Sequence, residues 1–366
     1  MMRACLIAFA TALTAVSGYA SAQIEPEGAQ HKTVVVVLAT GGTIAAQKSK
    51  DGISYEAGVL SIDAILSSVP EASDLVDLID AKQVANIGSQ DMSDTVWLQL
   101  LNEIRSVRTD APDAAIIVTH GTDTIEETAF LLDLFFPSGA PIVLTGAMRS
   151  ADASGADGPA NLLDGLRVVS DSNSRDRGVL VVLNGKIVAA RTVRKVHTES
   201  VEAFGAGDAG LLGEIVNGKP VYFAPPVRAA ITGQVAIPKN LAKVGIIYAH
   251  GQMEPDLVSF YVANDYEAVV LAGVGNGNSS AQMIQSLKSA ADEGLVVMRA
   301  SRIPNGQVSR NVEVNDDQNG FSASHDLSPQ KARILLSVLL SDSQDSKIDD
   351  YIIRCTTPLL PSQCAR

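Results

Sequence analysis

The chain has 366 residues, 46% hydrophobic and 19% charged, with a formal net charge of −13 at pH 7. That composition suits a soluble globular protein with a large core, in two domains or one large and one small. The acidic balance argues against a nucleic-acid partner, which wants a basic face, and fits a small-molecule ligand.

In chain order, residues 1–22 read as a secretory signal peptide. Arg3 supplies a basic start, Ala4 to Val16 an uncharged and largely apolar run, and Ala20-Ser21-Ala22 a small-residue cleavage series. The apolar run is shorter than the roughly 20 residues a membrane span needs. The expected location is therefore periplasmic, with no membrane association after processing. Cys5 leaves with this peptide. Cys355 and Cys364 remain near the C-terminus, where export permits either a disulfide or two free thiols.

After a polar leader comes Val34-Val35-Val36-Val37-Leu38-Ala39, a β-branched and aliphatic run of the kind a parallel sheet buries on both faces. It runs into Thr40-Gly41-Gly42-Thr43. Two successive glycines let the backbone turn sharply and let another group approach closely. The hydroxyl of Thr43 is thereby set at the carboxyl end of a strand, the edge where open α/β sheets bind ligands. Residues Gln47 to Ser54 are polar and read as an exposed loop of the lid type. Gly88-Ser89-Gln90-Asp91-Met92 precedes a helix predicted over 94–107 by the spacing of Val96, Trp97, Leu100, Leu101 and Ile104.

Ala114 to Thr119 is a second main strand, and His120-Gly121-Thr122-Asp123-Thr124 repeats the design of strand, glycine and threonine, now with an acid beside it. Thr124 and Glu127 read as a capping box opening a helix that runs to about Phe135. Strands follow at 142–145 and 178–183, with a helix over 158–169 between them. From Asn217 to Lys243 the pattern breaks around Pro220, Pro225, Pro226 and Pro238, as a domain connection would. Alternation resumes with strands at 244–248, 268–272 and 295–300 and helices near 256–263, 279–293 and 329–340. The expected fold is α/β: a larger doubly wound parallel-sheet domain over 32–216, a linker over 217–243, a smaller α/β domain over 244–354, and a tail over 355–366.

Familiar catalytic patterns are missing. There is no Gly-x-Ser-x-Gly elbow and no His-Glu-x-x-His, the five histidines are dispersed, and the cysteines sit away from every motif. The glycines of Gly273 to Asn278 lack the acidic partner a dinucleotide site requires. No metal or cofactor is expected, and the threonines are left as the reactive groups. A free hydroxyl is a poor nucleophile and needs a base within hydrogen-bond reach.

Ala39-Thr40-Gly41-Gly42-Thr43-Ile44-Ala45 and His120-Gly121-Thr122-Asp123-Thr124 together resemble the bacterial L-asparaginase/glutaminase family, type II in particular. The resemblance extends from about Thr33 to Tyr351. It implies that Thr43 is the nucleophile and that Tyr55, on the flexible loop, helps remove its proton. Thr122, Asp123 and Lys195 would form the second catalytic group, with Lys195 as proton acceptor. Asp123 would face the substrate ammonium, with Gln90 accepting beside it. Ser89 and Thr122 would hold the substrate carboxylate. Asn276 and Glu313 would complete substrate binding, Glu313 by reaching into a neighbouring subunit of a homotetramer. Gln90 and Gly275 to Asn278 resemble the asparagine-preferring branch. The alternatives are a mixed glutaminase-asparaginase that also takes L-glutamine or, from another class, a periplasmic amino-acid-binding protein.

Overall fold

The computed structural model describes residues 34–48, 55–56, 58–225 and 236–341. The expected signal peptide, most of the expected lid, Cys355, Cys364 and the tail lie outside the described residues.

The first half of the chain builds one eight-stranded sheet. Its strands are β1 (Val34–Gly41), then, after a small two-stranded ribbon of β2 (Gln47–Lys48) and β3 (Tyr55–Glu56), β4 (Leu78–Ile87), β5 (Ala115–Thr119), β6 (Ile142–Thr145), β7 (Val179–Leu183) and β8 (Lys186–Ala189). A second short ribbon, β9 (Arg194–Lys195) with β10 (Phe204–Gly205), precedes the last two strands of the large sheet, β11 (Gly213–Val216) and β12 (Lys219–Tyr222). The sheet order is β12-β11-β8-β7-β6-β5-β1-β4. The five strands from β4 to β7 are parallel, as the alternation predicts. β8, β11 and β12 extend the sheet by antiparallel pairs, so it is mixed rather than wholly parallel. Strand β12 also lies within the proline-bearing stretch read as linker, and its Pro220 is tolerated because β12 is the edge strand.

The helices of this half are α1 (Ile62–Leu66), α2 (Asp94–Asp110), α3 (Ile125–Phe135) and α4 (Gly158–Ser170). Alternate residues of β1 serve opposite faces of the sheet. Val36 and Leu38 join one core with Trp97, Leu100 and Ile104 of α2 and with α3. Val35, Val37 and Ala39 join another with Ile62 and Ile65 of α1 and Leu162 and Leu166 of α4. Burial on both faces is what the unbroken valine run of β1 encodes.

A smaller four-stranded parallel sheet follows, in the order β13 (Val244–Tyr248), β14 (Ala268–Gly273), β15 (Val296–Ser301), β16 (Phe321–Ala323). Its helices are α5 (Asp256–Ala263), α6 (Ala281–Asp292), a single turn α7 (Asp316–Asn319) and α8 (Pro329–Ser341). Val258, Met283 and Leu287 of α5 and α6 cover one face. On the other face, Ile334, Leu335 and Val338 of α8 share a core with α3, Val270 of β14 and Met298 of β15. Helix α8 thus joins the two sheets through shared apolar packing, whose burial is worth roughly 1.5–3 kcal/mol per large aliphatic side chain.

Candidate active site

Both threonine motifs sit at carboxyl ends of neighbouring strands. Strands β1 and β5 run in register from Val35 opposite Ala115 to Ala39 opposite Thr119. Thr40 Oγ1 donates to the Thr119 carbonyl at 3.0 Å, tying the two ends together. Beyond this bond the glycines do their part. Gly42 has φ +83°, in the region where side chains are strained, and a Cβ there would lie 2.3 Å from Gly121 Cα. The two turns therefore touch backbone to backbone, and Thr43 and Thr122 follow directly from them. Thr43 is 9% exposed and Thr122 5%. Thr43 opens a 3-10 turn whose carbonyl accepts from Ala46.

Thr122 belongs to the tightest cluster. Lys195 Nζ donates to Thr122 Oγ1 at 2.9 Å and to Asp123 Oδ1 at 2.6 Å. Because the lysine is the donor, the Thr122 hydroxyl keeps its own proton for another acceptor. Lys195 lies on β9, whose partner Phe204 holds one side of its backbone. On the other side the Lys195 N–H donates to Glu126 Oε2 at 2.8 Å.

The turn Ser89-Gln90-Asp91 is pinned to the same place. Ser89 Oγ accepts from the Asp123 N–H at 3.2 Å, and the Ser89 carbonyl accepts from Thr124 Oγ1 at 2.7 Å. A Cβ on Gly121 would fall 2.7 Å from Ser89 Oγ, so glycine at 121 is what lets Ser89 approach. Ser89 is buried, while Gln90 is exposed and bonds weakly to Asp91 at 3.4 Å. The Thr124 bond also corrects the capping-box reading. Helix α3 starts at Ile125 with Thr124 before it, but the Thr124 side chain makes no cap bond. Glu127 is engaged instead by Arg333 at 3.1 Å.

Beneath the site lies a directional chain. Trp97 Nε1 donates to Thr128 Oγ1 at 2.9 Å, and Thr128 Oγ1 lies 2.9 Å from His120 Nε2. His120 Nδ1 lies 2.7 Å from the Gly121 carbonyl. The one assignment satisfying every group has Thr128 donating to Nε2 and Nδ1–H donating to Gly121. Burial pushes the His120 imidazole down to about 4, the Gly121 carbonyl pulling weakly the other way, so the ring is neutral.

Among the described residues, no hydrogen bond joins Asn276 or Glu313 to this cluster. They form a second group on loops of the small sheet. Asn276 Oδ1 accepts from Ser309 N at 2.7 Å, and Asn278 Nδ2 donates to the exposed Glu313 carboxylate at 3.1 Å. Both loops are clamped by Arg299. It pairs with Asp316 through Nε and Nη2 at 2.6 and 2.7 Å, and donates to the carbonyls of Asn276, Gly277 and Ser309. Every guanidinium N–H is thus used, which is the condition for burying this ion pair without an orphaned donor. Tyr55 lies on β3 opposite Lys48 of β2.

Among the described residues, no group of three or more His, Cys, Asp or Glu is placed to hold a metal ion. No described helix is long and apolar enough to cross a membrane.

Two family models match the chain, "Asparaginase, N-terminal" over residues 34–228 and "Glutaminase/Asparaginase C-terminal domain" over residues 243–349. The chain belongs to the asparaginase family. It is 42% identical over 318 residues to "Probable L-asparaginase periplasmic" of Haemophilus influenzae, covering 86% of this chain and 90% of the relative. It is 40% identical over 315 residues to "L-asparaginase 2" of Escherichia coli, covering 85% and 90%. A solved structure described as the probable cytoplasmic L-asparaginase of Campylobacter jejuni superposes with a TM-score of 0.80 at 36% identity, covering 88% of this chain and 99% of that one.

Within this asparaginase, sequence reasoning missed Glu126, His120, Arg299 and Lys331. Glu126 was legible only as half of an ordinary acidic first turn. Arg299 and Lys331 carry charges that sequence alone places at the surface, yet they are 0% and 1% exposed.

Proposed function

We propose that this chain is an L-asparagine amidohydrolase, turning L-asparagine and water into L-aspartate and ammonia. The observation that carries the reading is the bridge from Lys195 Nζ to Thr122 and Asp123, formed beside Thr43 at the ends of adjacent strands. In this reading Thr43 Oγ attacks the side-chain amide carbon and its proton passes to a nearby base, with Tyr55 of the β2–β3 ribbon assisting. Ammonia leaves carrying a proton, and water releases aspartate from the threonine ester. Lys195 holds Thr122 and Asp123 at fixed spacing, so that the Thr122 hydroxyl can pass a proton toward the reacting centre. Asp123 has one oxygen on Lys195 and a half-open side chain, leaving room for the substrate ammonium. Ser89 and nearby backbone N–H groups bind the substrate carboxylate, and Gln90 lies beside the ammonium.

Asn276 and Glu313 complete the site of a neighbouring subunit in a homotetramer. Neither makes a hydrogen bond to Thr43, Ser89, Thr122, Asp123 or Lys195 of its own chain, which supports that reading. A periplasmic location is supported by the Arg3, apolar-run and Ala20-Ser21-Ala22 series and by the name of the Haemophilus relative. N-terminal sequencing of secreted protein would begin at Gln23.

The decisive experiment is ammonia release from L-asparagine, with L-glutamine alongside. Thr43→Ala should abolish turnover while aspartate binding persists, and Thr43→Ser should keep some activity. Normal turnover by Thr43→Ala would end the nucleophile assignment. Binding of asparagine without any ammonia release by the parent protein would favour a binding protein instead.

A further inference from the structure

We propose that Glu126 and Lys331 form a positioning pair that fixes the backbone run leading into Lys195 and so holds the Lys195 ammonium on Thr122 and Asp123. This inference rests on the role proposed above for Lys195.

Lys195 needs outside support. Its strand, β9, has only two residues, and its ladder partner is the equally short β10. A long lysine side chain keeps its head in place only if its backbone is fixed, because its rotamer freedom carries up to about 2 kcal/mol of entropy. Glu126 supplies one support. It sits in the first turn of α3, three residues after Asp123, and its Oε2 accepts the Lys195 N–H at 2.8 Å. The chain from Thr122 to Glu126, that hydrogen bond, and the Lys195 side chain returning to Thr122 and Asp123 close a ring. The ring allows little independent motion between the lysine head and its two partners.

Lys331 supplies the other support, from α8. Its Nζ donates to the carbonyls of Val193 at 2.6 Å and Arg191 at 2.9 Å, both in the turn entering β9. Arg191 of the same turn makes a two-point ion pair with Asp326, at 2.9 and 2.7 Å. Burying an ammonium is costly unless it is bonded. Burial pushes Lys331 down to about 7, countered first by the Glu126 carboxylate. Burial likewise raises the Glu126 carboxyl above its ordinary range, countered by the Lys331 cation and the Lys195 N–H. Each charge makes the burial of the other tolerable, and both grip the same short run of backbone.

The test reads turnover and the state of Lys195 separately. Glu126→Gln keeps a carbonyl acceptor for the Lys195 N–H and should retain activity within about tenfold, whereas Glu126→Ala should lose about a hundredfold in kcat, the scale of an ångström-level misplacement. Lys331→Met should also lower kcat, with KM for L-asparagine changed less than about threefold, since the positioning term is what is lost. In a Lys195→Ala background neither substitution should lower residual turnover further, because residues acting as one unit are not additive. Losses that multiply with Lys195→Ala would overturn the proposal.

Labelling of Lys195 by reductive methylation, followed by mass spectrometry, needs no activity. The labelling rate should rise severalfold in Glu126→Ala and Lys331→Met, with Glu126→Gln near the parent. An unchanged rate in folded Glu126→Ala refutes the pair, even if Lys331→Met fails to fold. Full activity in Lys195→Ala would remove the catalytic role of Lys195 without touching the labelling result, so the two failures are distinguishable.

Discussion

Gly42 and Gly121 lie so close that a Cβ on Gly42 would sit 2.3 Å from the Cα and 2.4 Å from the nitrogen of Gly121. No side chain shift can relieve a contact with backbone. Gly42→Ala should therefore push the β1 and β5 turns apart, costing about 1–3 kcal/mol of stability, the usual range for overpacking. It should also cost at least about a hundredfold in turnover, since Thr43 and Thr122 ride on those turns. Urea midpoints and ammonia release check both. Gly251→Ala, where an added Cβ meets nothing within 4 Å, should leave both unchanged.

Asp123→Asn should raise KM for L-asparagine strongly. It removes the counter-charge to the substrate ammonium and to Lys195, while the amide oxygen that replaces Asp123 Oδ1 can still accept from Lys195 Nζ. Loss of one member of a hydrogen-bonded charge pair typically costs about 2–5 kcal/mol when buried, and the exposure of Asp123 places this case toward the lower end. Steady-state kinetics with both substrates are the check, and Gln90→Glu in the same assay should shift the asparagine-to-glutamine ratio toward glutamine. One methylene is worth only about 1–3 kcal/mol of discrimination, so a visible change is within reach of a single contact.

His120 and Asp133 should give opposite pH signatures in stability. His120 falls from 6.5 to about 4 in the fold. Between those values the unfolded chain takes up a proton and the folded chain does not, so the stability His120 contributes is present above 6.5 and is lost as pH falls toward 4. The size is on the order of 3 kcal/mol. Asp133, buried and accepting from the Val179 N–H, rises from 3.8 to about 6, so its contribution is present below 3.8 and is lost as pH rises through 6. Relative to the parent, stability at pH 4.5 compared with pH 7.5 should rise in His120→Asn and fall in Asp133→Asn, read from urea midpoints at the two pH values.

Mixing inactive Thr43→Ala with inactive Glu313→Ala should restore activity after dissociation and reassociation. If Glu313 serves its neighbour, a mixed dimer carries one site with both defects and one with neither. If it serves its own chain, every site keeps a defect. Proven mixed dimers without activity would place Glu313 outside the neighbour's site.

The parallel core of the fold was legible because both-face burial leaves unbroken apolar runs, as in Val34–Leu38 and Ala115–Val118. Strand β4 was not legible. It is an edge strand carrying Asp80, Lys82, Gln83 and Asn86, so its sequence reads as loop. The antiparallel strands β8, β11 and β12 have only four residues each and gave no periodic signal. In the site, the two glycine–threonine turns announced themselves. Lys195 did not, since nothing local separates it from Arg191 and Arg194. It stood out only through the family pattern, which already grouped it with Thr122 and Asp123; the fold adds the hydrogen bonds that join them. Thr124 and Glu127 satisfied a capping pattern in sequence, yet tertiary partners claimed both side chains.

The bonds that assemble the site span long stretches of chain. Thr40 reaches Thr119 across 79 residues, Glu126 reaches Lys195 across 69, and Val193 waits for Lys331 across 138. Each closure carries an entropic cost, growing by about 0.6 kcal/mol per doubling of the loop. Contacts of such sequence separation form slowly. The run entering β9 cannot be locked until α8, the last helix described, has docked. A nascent or refolding chain would thus carry both threonine turns, already paired strand to strand, well before it could turn over substrate. On the positioning role proposed for Lys331, recovery of activity would be a clock for the docking of α8, and a truncation that removes α8 while sparing every residue touching substrate would still stop it.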